Sequence, residues 1–365
     1  MSAPDDLDAW LRLLRTPGLS RAAARRLLAA FGSPEAALSA PPSALAGLVD
    51  PALATALRAA DANHPDACSA VRTWLADGPA RHVLTLADAG YPRTLLETPD
   101  PPLLLYAQGR LDALQAPALS IVGSRNPTPQ GLQNARDFSA HLARSGLVIV
   151  SGLALGIDGA AHEGALAADG LTVAVMGTGP DRIYPARHRE LAHRIVEHGV
   201  LLTEFEPGAP PLAPHFPQRN RLIAGLARGT LVVEAALASG SLSTARAATD
   251  AGREVFAIPG SIHAPQSRGC HWLIKQGAKL VESADDVLGE IDWRARPQAA
   301  QRAALSTGTQ DSLLEAMGHD PVTLDALAAR TGEPAAALGA RLLELELEGH
   351  VARLPGGLFQ RQGLG

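Results

Sequence analysis

Aromatic residues make up 4% of the 365 residues, cysteine occurs twice (Cys68 and Cys270), and lysine occurs twice (Lys275 and Lys279). No uninterrupted apolar run reaches the roughly 20 residues that a membrane-spanning helix needs, so membrane insertion is not expected. The cysteines form no Cys-x-x-Cys pair, and Met1-Ser-Ala-Pro-Asp-Asp6 lacks the basic-then-apolar plan of a signal peptide, which leads to an expectation of a reducing cytoplasm. There is no His-Glu-x-x-His or other convincing metal-ligand spacing, no Walker lysine and no full Gly-x-Gly-x-x-Gly. Those absences disfavour a metal centre, a phosphate-hydrolysing motor and a dinucleotide oxidoreductase, and no cofactor is expected. The formal net charge is −5 at pH 7, so affinity for nucleic acid would have to come from a local basic patch.

What is present organises around Leu119-Ser-Ile-Val-Gly-Ser-Arg-Asn126, an apolar run that breaks at Gly123-Ser124, presents Arg125 and yields to a helical pattern after Pro127 and Pro129. Without a side chain at Gly123, backbone N–H groups can approach an anion, and the following helix is expected to aim its positive end at the same place. Arg125 adds a planar fork of donors suited to phosphate oxygens. Taken alone, the segment is equally an ordinary strand-to-helix turn.

Upstream, residues 1–60 read as short helices joined by the turn-and-cap segments Pro17-Gly-Leu-Ser20 and Gly32-Ser-Pro-Glu35, a small helical domain of helix-hairpin-helix or SAM-like type. Arg21, Arg25 and Arg26 near the turn could meet a DNA backbone or stand solvated on a structural helix. Between Ala60 and Pro117, a helix and two short strands, Val83 to Leu86 and Pro101 to Tyr106, look like an extension at a sheet edge. From Leu119 the chain alternates strands and helices: strands are expected at 119–122, 147–151, 172–176, 200–203, 230–233 and 254–258. That rhythm argues for an α/β domain, 61–291, with a doubly wound, mostly parallel sheet whose ligands bind at the carboxyl ends of the strands.

The residues after those strands include Gly123-Ser-Arg125, Ser151-Gly152 to Gly156, Gly177-Thr-Gly179 and Ser239-Gly-Ser241 to Thr244, and they are expected to converge on one rim that accepts anions. Phe216-Pro-Gln-Arg-Asn-Arg221 joins them, with Arg219 and Arg221 flanking Asn220 beside an aromatic, a combination suited to gripping a phosphate backbone and stacking a base. Arginine at a helix start is also a common salt-bridge partner, and Phe216 also suits a core. Candidate acids and bases are sparse: His162 and Glu163 after Asp158, and Tyr184-Pro185 with His188, all compatible with structural roles.

Residues 292–308 are polar and Pro-bearing, a linker. Residues 309–365 then follow a winged-helix plan of three helices and a hairpin. Its third helix ends Leu343-Glu344-Leu-Glu346-Leu-Glu348, with Arg341 as its single base, so it reads as a protein-interaction or regulatory surface and not a groove reader.

These residues together resemble the DNA-processing protein A family, DprA/Smf. The resemblance rests on Ile121-Val-Gly-Ser-Arg125, Gly156-Ile-Asp158 with Ala161-His162, Gly177 to Pro185, Phe216 to Gly225, Ser243-Thr-Ala245 and Pro259-Gly-Ser261, and runs from about Asp5 to Phe359. It implies an extended Rossmann-like domain with a helical N-terminal and a winged-helix C-terminal domain. It also implies a non-enzymatic protein that binds single-stranded DNA, protects it in natural transformation, recombination and repair, helps to load the RecA recombinase, and forms a homodimer through the Rossmann-like domain. Carried onto this sequence, the DNA-binding residues are Gly123, Ser124, Arg125, Phe216, Arg219, Asn220, Arg221 and Lys275, and the glycine rim adds Gly152, Gly177, Gly179 and Ser241. The competing reading is a nucleotide phosphoribohydrolase-like enzyme on a related fold, with Glu204 or Glu234 acting on a glycosidic bond.

Overall fold

The computed structural model describes residues 6–59, 65–78, 80–293, 312–318, 321–354 and 357–361. The expected linker, from residue 294 onward, and the hairpin turn at Pro355-Gly356 lie outside the described residues.

Five short helices open the chain: α1 (Leu7–Leu14), α2 (Arg21–Phe31), α3 (Pro34–Ser39), α4 (Pro42–Leu45) and α5 (Pro51–Ala59). Both expected caps are made: Ser20 accepts from the Ala23 N–H and Ser33 from the Ala36 N–H, while Gly32 ends α2 in the left-handed region. Leu13, Leu27, Leu45 and Leu57 give this unit its own small core. A second core is shared, since Trp10, Leu11 and Ala24 pack with Val71 and Trp74 of α6 (Pro65–Ala76) and with Val83 and Tyr106 of the sheet. The helical unit is therefore seated on the next domain.

The main sheet has nine strands: β1 (Arg81–Thr85), β2 (Leu104–Gly109), β3 (Ala118–Val122), β4 (Val148–Ser151), β5 (Thr172–Val175), β6 (Gly199–Thr203), β7 (Gly229–Val232), β8 (Glu254–Ala257) and β9 (Lys279–Leu280). They lie in the order β1-β2-β6-β5-β4-β3-β7-β8-β9. Pairing is parallel from β6 across to β9, whereas β1 and β2, which form the extension at the sheet edge, pair antiparallel. Strand β9, two exposed residues long, had no periodic signature in the sequence.

Helices cover both faces: α7 (Arg93–Leu96), α8 (Pro129–Arg144), α9 (Ile157–Ala167), α10 (Arg189–His198), α11 (His215–Leu226), α12 (Ser241–Asp250), α13 (Arg268–Lys275) and α14 (Ala284–Glu290). Side-chain alternation divides each of β1 to β8 between two cores. Ala118 and Val122 of β3 join Leu222, Ile223 and Ala245 of α11 and α12, while Leu119 and Ile121 join Leu142, Ala161 and Val287 of α8, α9 and α14. The chain steps outward from β3 to β6 and then returns to place β7 on the other side of β3. The crevice between β3 and β7 is thus a topological switch point, where turns diverge and a ligand can enter.

The C-terminal unit comprises α15 (Ser312–Met317), β10 (Val322–Thr323), α16 (Leu324–Thr331), α17 (Ala335–Leu347), β11 (Val351–Leu354) and β12 (Leu358–Arg361). Leu313, Leu327, Leu342 and Val351 form its core beneath a three-stranded sheet, completing a winged helix. Among the described residues, no helix is long and apolar enough to cross a membrane.

Trp10 is 2% exposed and belongs to the shared core. Trp10→Ala is expected to lower unfolding free energy by about 3–5 kcal/mol, read as a lower midpoint in urea.

Candidate nucleic-acid interface

The turn after β3 is tied to the turn after β7. Ser124 N–H donates to the Glu234 carbonyl at 2.7 Å, and Ser124 C=O accepts from Ile157 N–H at 3.1 Å. A Cβ on Gly123 would stand 2.7 Å from Ile157 Cγ1 and 2.9 Å from the Glu234 oxygen, so only glycine permits this approach. Arg125 and Asn126, next in line, are exposed.

They enter a groove of about 730 Å³, walled by the β3 turn, by Ala154 and Asp158 after β4, by Tyr184, by one face of α11 and by Ser239 to Thr244. Phe216 stands in its wall. The Arg125 guanidinium carbon lies 5.6 Å from the centre of the Phe216 ring, and the half-exposed Tyr184 ring packs against it at 5.7 Å with a 50° tilt. Gly177 lies behind, where a Cβ would come within 3.0 Å of the ring. No carboxylate pairs with Arg125 among the described residues. The result is an available cation beside two aromatic faces.

Helix periodicity decides which α11 residues belong here. Phe216, Arg219, Asn220 and Ile223 follow i, i+3, i+4, i+7 and all line the groove. Arg221 is about 200° round the helix from Arg219 and faces the opposite way. It pairs with the Glu204 carboxylate and donates to the Asp100 carbonyl at 2.6 Å, outside the groove.

Arg219 is 4% exposed, below the rim, and donates to the Val175 carbonyl at the end of β5. Burial lowers its pKa to about 10, opposed by the attraction of Asp158. Burial correspondingly raises the Asp158 carboxyl, and Arg219 with the N–H groups of Ala154 and Gly152 opposes that rise. Gly152 lies against this cation, with its Cβ position 1.9 Å from Arg219 Nη1. Arg219 therefore forms the charged floor of the groove, not a free grip on its surface.

Asn220 Nδ2 donates to Ser243 Oγ at 2.8 Å, joining α11 to the start of α12. Ser241 begins α12 with its hydroxyl 2.7 Å from that of Ser239. The α12 start has Gly240 as its cap residue with no side-chain cap bond, and it opens into the groove. The start of α8 differs from expectation. Glu234 accepts from the Thr128 N–H at 2.9 Å and the Thr128 hydroxyl at 2.5 Å, so the protein's own carboxylate meets that positive end. Gly131 leaves room for it, since a Cβ there would lie 2.4 Å from Glu234 Cδ. The helix start left without a side-chain cap bond and open to the groove is that of α12.

The remaining candidates fall elsewhere. Gly179 is buried in a turn held by its N–H to the Ala209 carbonyl, and Lys275 is exposed on the last turn of α13, outside the groove lining. His162 donates from Nδ1 to Thr172 Oγ1, since that hydroxyl itself donates to the Ile149 carbonyl. Its Nε2 is buried without a partner among the described residues, consistent with a neutral ring, and burial, reinforced by His188 and Arg219, pushes its pKa down to about 3. His188 donates to the Leu153 carbonyl, and Glu163 pairs with Arg136. Tyr184 and Asp158, which the sequence offers beside its candidate acids and bases and within the family-like segments, both line the groove.

Two outcomes test this construction. Gly152→Ala is expected to cost about 1–3 kcal/mol of stability through overpacking against Arg219, read in urea. His162, neutral when folded, contributes stability that is complete above its ordinary pKa of 6.5 and lost as pH falls toward 3. His162→Asn should therefore flatten the fall in melting temperature through that window relative to the parent.

Comparison with known proteins follows the same outline. A family model described as DNA recombination-mediator protein A matches residues 82–292, one described as a DprA-like N-terminal HHH domain matches 4–62, and a DprA winged helix domain matches 297–357. Protein Smf of Escherichia coli (strain K12) is 45% identical over 293 residues, covering 78% of each chain. DNA processing protein DprA of Streptococcus pneumoniae is 49% identical over 209 residues, covering 57% of this chain and 74% of its own. The X-ray structure of the Streptococcus pneumoniae protein superposes with a TM-score of 0.67 at 38% identity, covering 80% of this chain and 99% of that one. DNA processing protein A from Helicobacter pylori, a structure concerned with its single-stranded DNA binding mode, superposes with a TM-score of 0.52 at 32% identity, covering 57% and 95%.

Proposed function

The chain belongs to the DNA recombination-mediator protein A family, and we propose that its groove binds single-stranded DNA, protects it, and helps to load a RecA recombinase in transformation and recombination. One observation carries the reading: Arg125, without a carboxylate partner among the described residues, is stacked on Phe216 at the switch point of the sheet. The guanidinium and the open start of α12 suit phosphates, while Phe216 and Tyr184 offer faces on which any base can stack. The Helicobacter pylori relative, described for its single-stranded DNA binding mode, supports the same ligand.

We read the groove as a binding surface without a catalytic role. Glu204 and Glu234, the acids required by a glycosidic hydrolysis, are held by Arg221 and Thr128 and do not line it. The acidic face of α17, with Leu343 and Leu347 exposed beside Glu344 and Glu348, fits a protein partner better than DNA. We also propose, on the family resemblance alone, that a homodimer contact lies on the Rossmann-like domain.

Titration of labelled oligonucleotides across a range of salt concentrations tests the reading. Single strands should bind more tightly than duplex, and Arg125→Ala should weaken binding and reduce the slope of log affinity against log salt by about 1. Phe216→Ala should cost about 1–3 kcal/mol of binding at unchanged slope. Equal affinity for duplex, or full affinity in both variants, would refute it. A pull-down of RecA with and without DNA tests the loading role.

A further inference from the structure

Three arginines of the N-terminal unit reach carboxylates of the Rossmann-like domain. Arg15, at the end of α1, donates from Nε to both oxygens of Glu206 at 3.1 Å. Arg21 and Arg25 of α2 converge on Asp100 at 2.6 and 2.9 Å, and Arg21 also approaches Glu204 at 3.3 Å. Glu204 in turn pairs with Arg221, whose guanidinium also holds the Asp100 carbonyl. These charged side chains are 7–38% exposed and form a network, the setting in which ion pairs hold geometry better than isolated surface pairs do.

The other side of this network is the groove. Arg221 is on the back of α11, whose front carries Phe216, Arg219 and Asn220. Glu206 begins the Pro-rich run 206–214, from which Pro211 and Ala213 line the groove. That run is pinned at both ends: Phe205 stacks on His215 with ring centres 4.0 Å apart, and the Gly208 N–H donates to Asp181 at 2.7 Å. The N-terminal arginines thus hold the two elements that form one wall, without lining the groove themselves.

We propose that this network is a brace: Arg15, Arg21 and Arg25 are positioning residues that keep α11 and the 206–214 run in their groove-forming arrangement, so that groove affinity depends on the N-terminal unit being docked. The proposal rests on the reading of the groove as a single-stranded DNA site. By linkage, DNA in the groove tightens the docking in return.

A charge swap on the full chain tests it, using Arg15→Glu, Glu206→Arg and the double variant. Hydrogen exchange without DNA should speed up over residues 205–218 in each single variant and return toward the parent in the double. Single-strand affinity should fall roughly two- to thirtyfold in the singles and recover in the double. The salt slope should stay unchanged, because no phosphate contact is lost. Unchanged exchange in the single variants would overturn the brace, and so would a slope lowered by about one unit, which marks direct contact of Arg15 with phosphate. A parent protein that fails to bind single strands would overturn the binding reading, while the exchange pattern still decides the brace. Arg15→Gln and Glu206→Gln, each read singly for exchange over residues 205–218 and for salt slope, test the same pair if charge reversal prevents folding.

Discussion

The contact between the β3 and β7 turns sets the terms for the rest of the molecule. Ser124 N–H bonds the Glu234 carbonyl, while the Glu234 side chain crosses to cap α8 through Thr128. One residue therefore ties two strand ends and a helix start, and glycine at 123 and 131 gives the backbone and the carboxylate the space they need. With that end of α8 already satisfied, an anion is not drawn there. The opening is directed instead toward Arg125 and the start of α12, across the switch point.

Helix α11 then divides the charges. Its groove face carries Arg219, buried and countered by Asp158, and its back face carries Arg221, countered by Glu204. Burying either guanidinium without an opposite charge would be strongly unfavourable, so both are tied to the scaffold. Arg125, exposed on its turn, needs no such partner and keeps its donors available. A protein of net charge −5 can thus still present a cationic point at the mouth of this groove.

Much of this was legible in the residues. Continuous apolar runs, the mark of strands buried on both faces, located six strands of the main sheet, and the turn after each pointed to one rim, because a parallel sheet carries its strand-to-helix loops at one end. The cap signals at Ser20 and Ser33 were equally direct, since a cap is a contact within four residues. What failed were inferences that depended on contacts distant in sequence. The carboxylate that meets the start of α8 comes from Glu234, 106 residues away, and no local pattern announces it.

Arg219 and Arg221 show where a stronger reading of the sequence was possible. Side by side with Asn220 they look like one basic grip, which is true only of an extended chain, where residues two apart share a face. In a helix they point nearly opposite ways, and the apolar Leu222, Ile223 and Leu226 that follow already mark the segment as helical. The same spacing that removes Arg221 from the groove selects Phe216, Asn220 and Ile223 for it. What periodicity cannot supply is the identity of the partners: Glu204 and Asp100 behind the helix, Asp158 and the Val175 carbonyl below it. Those are fixed by the packing of strands brought together from distant parts of the chain.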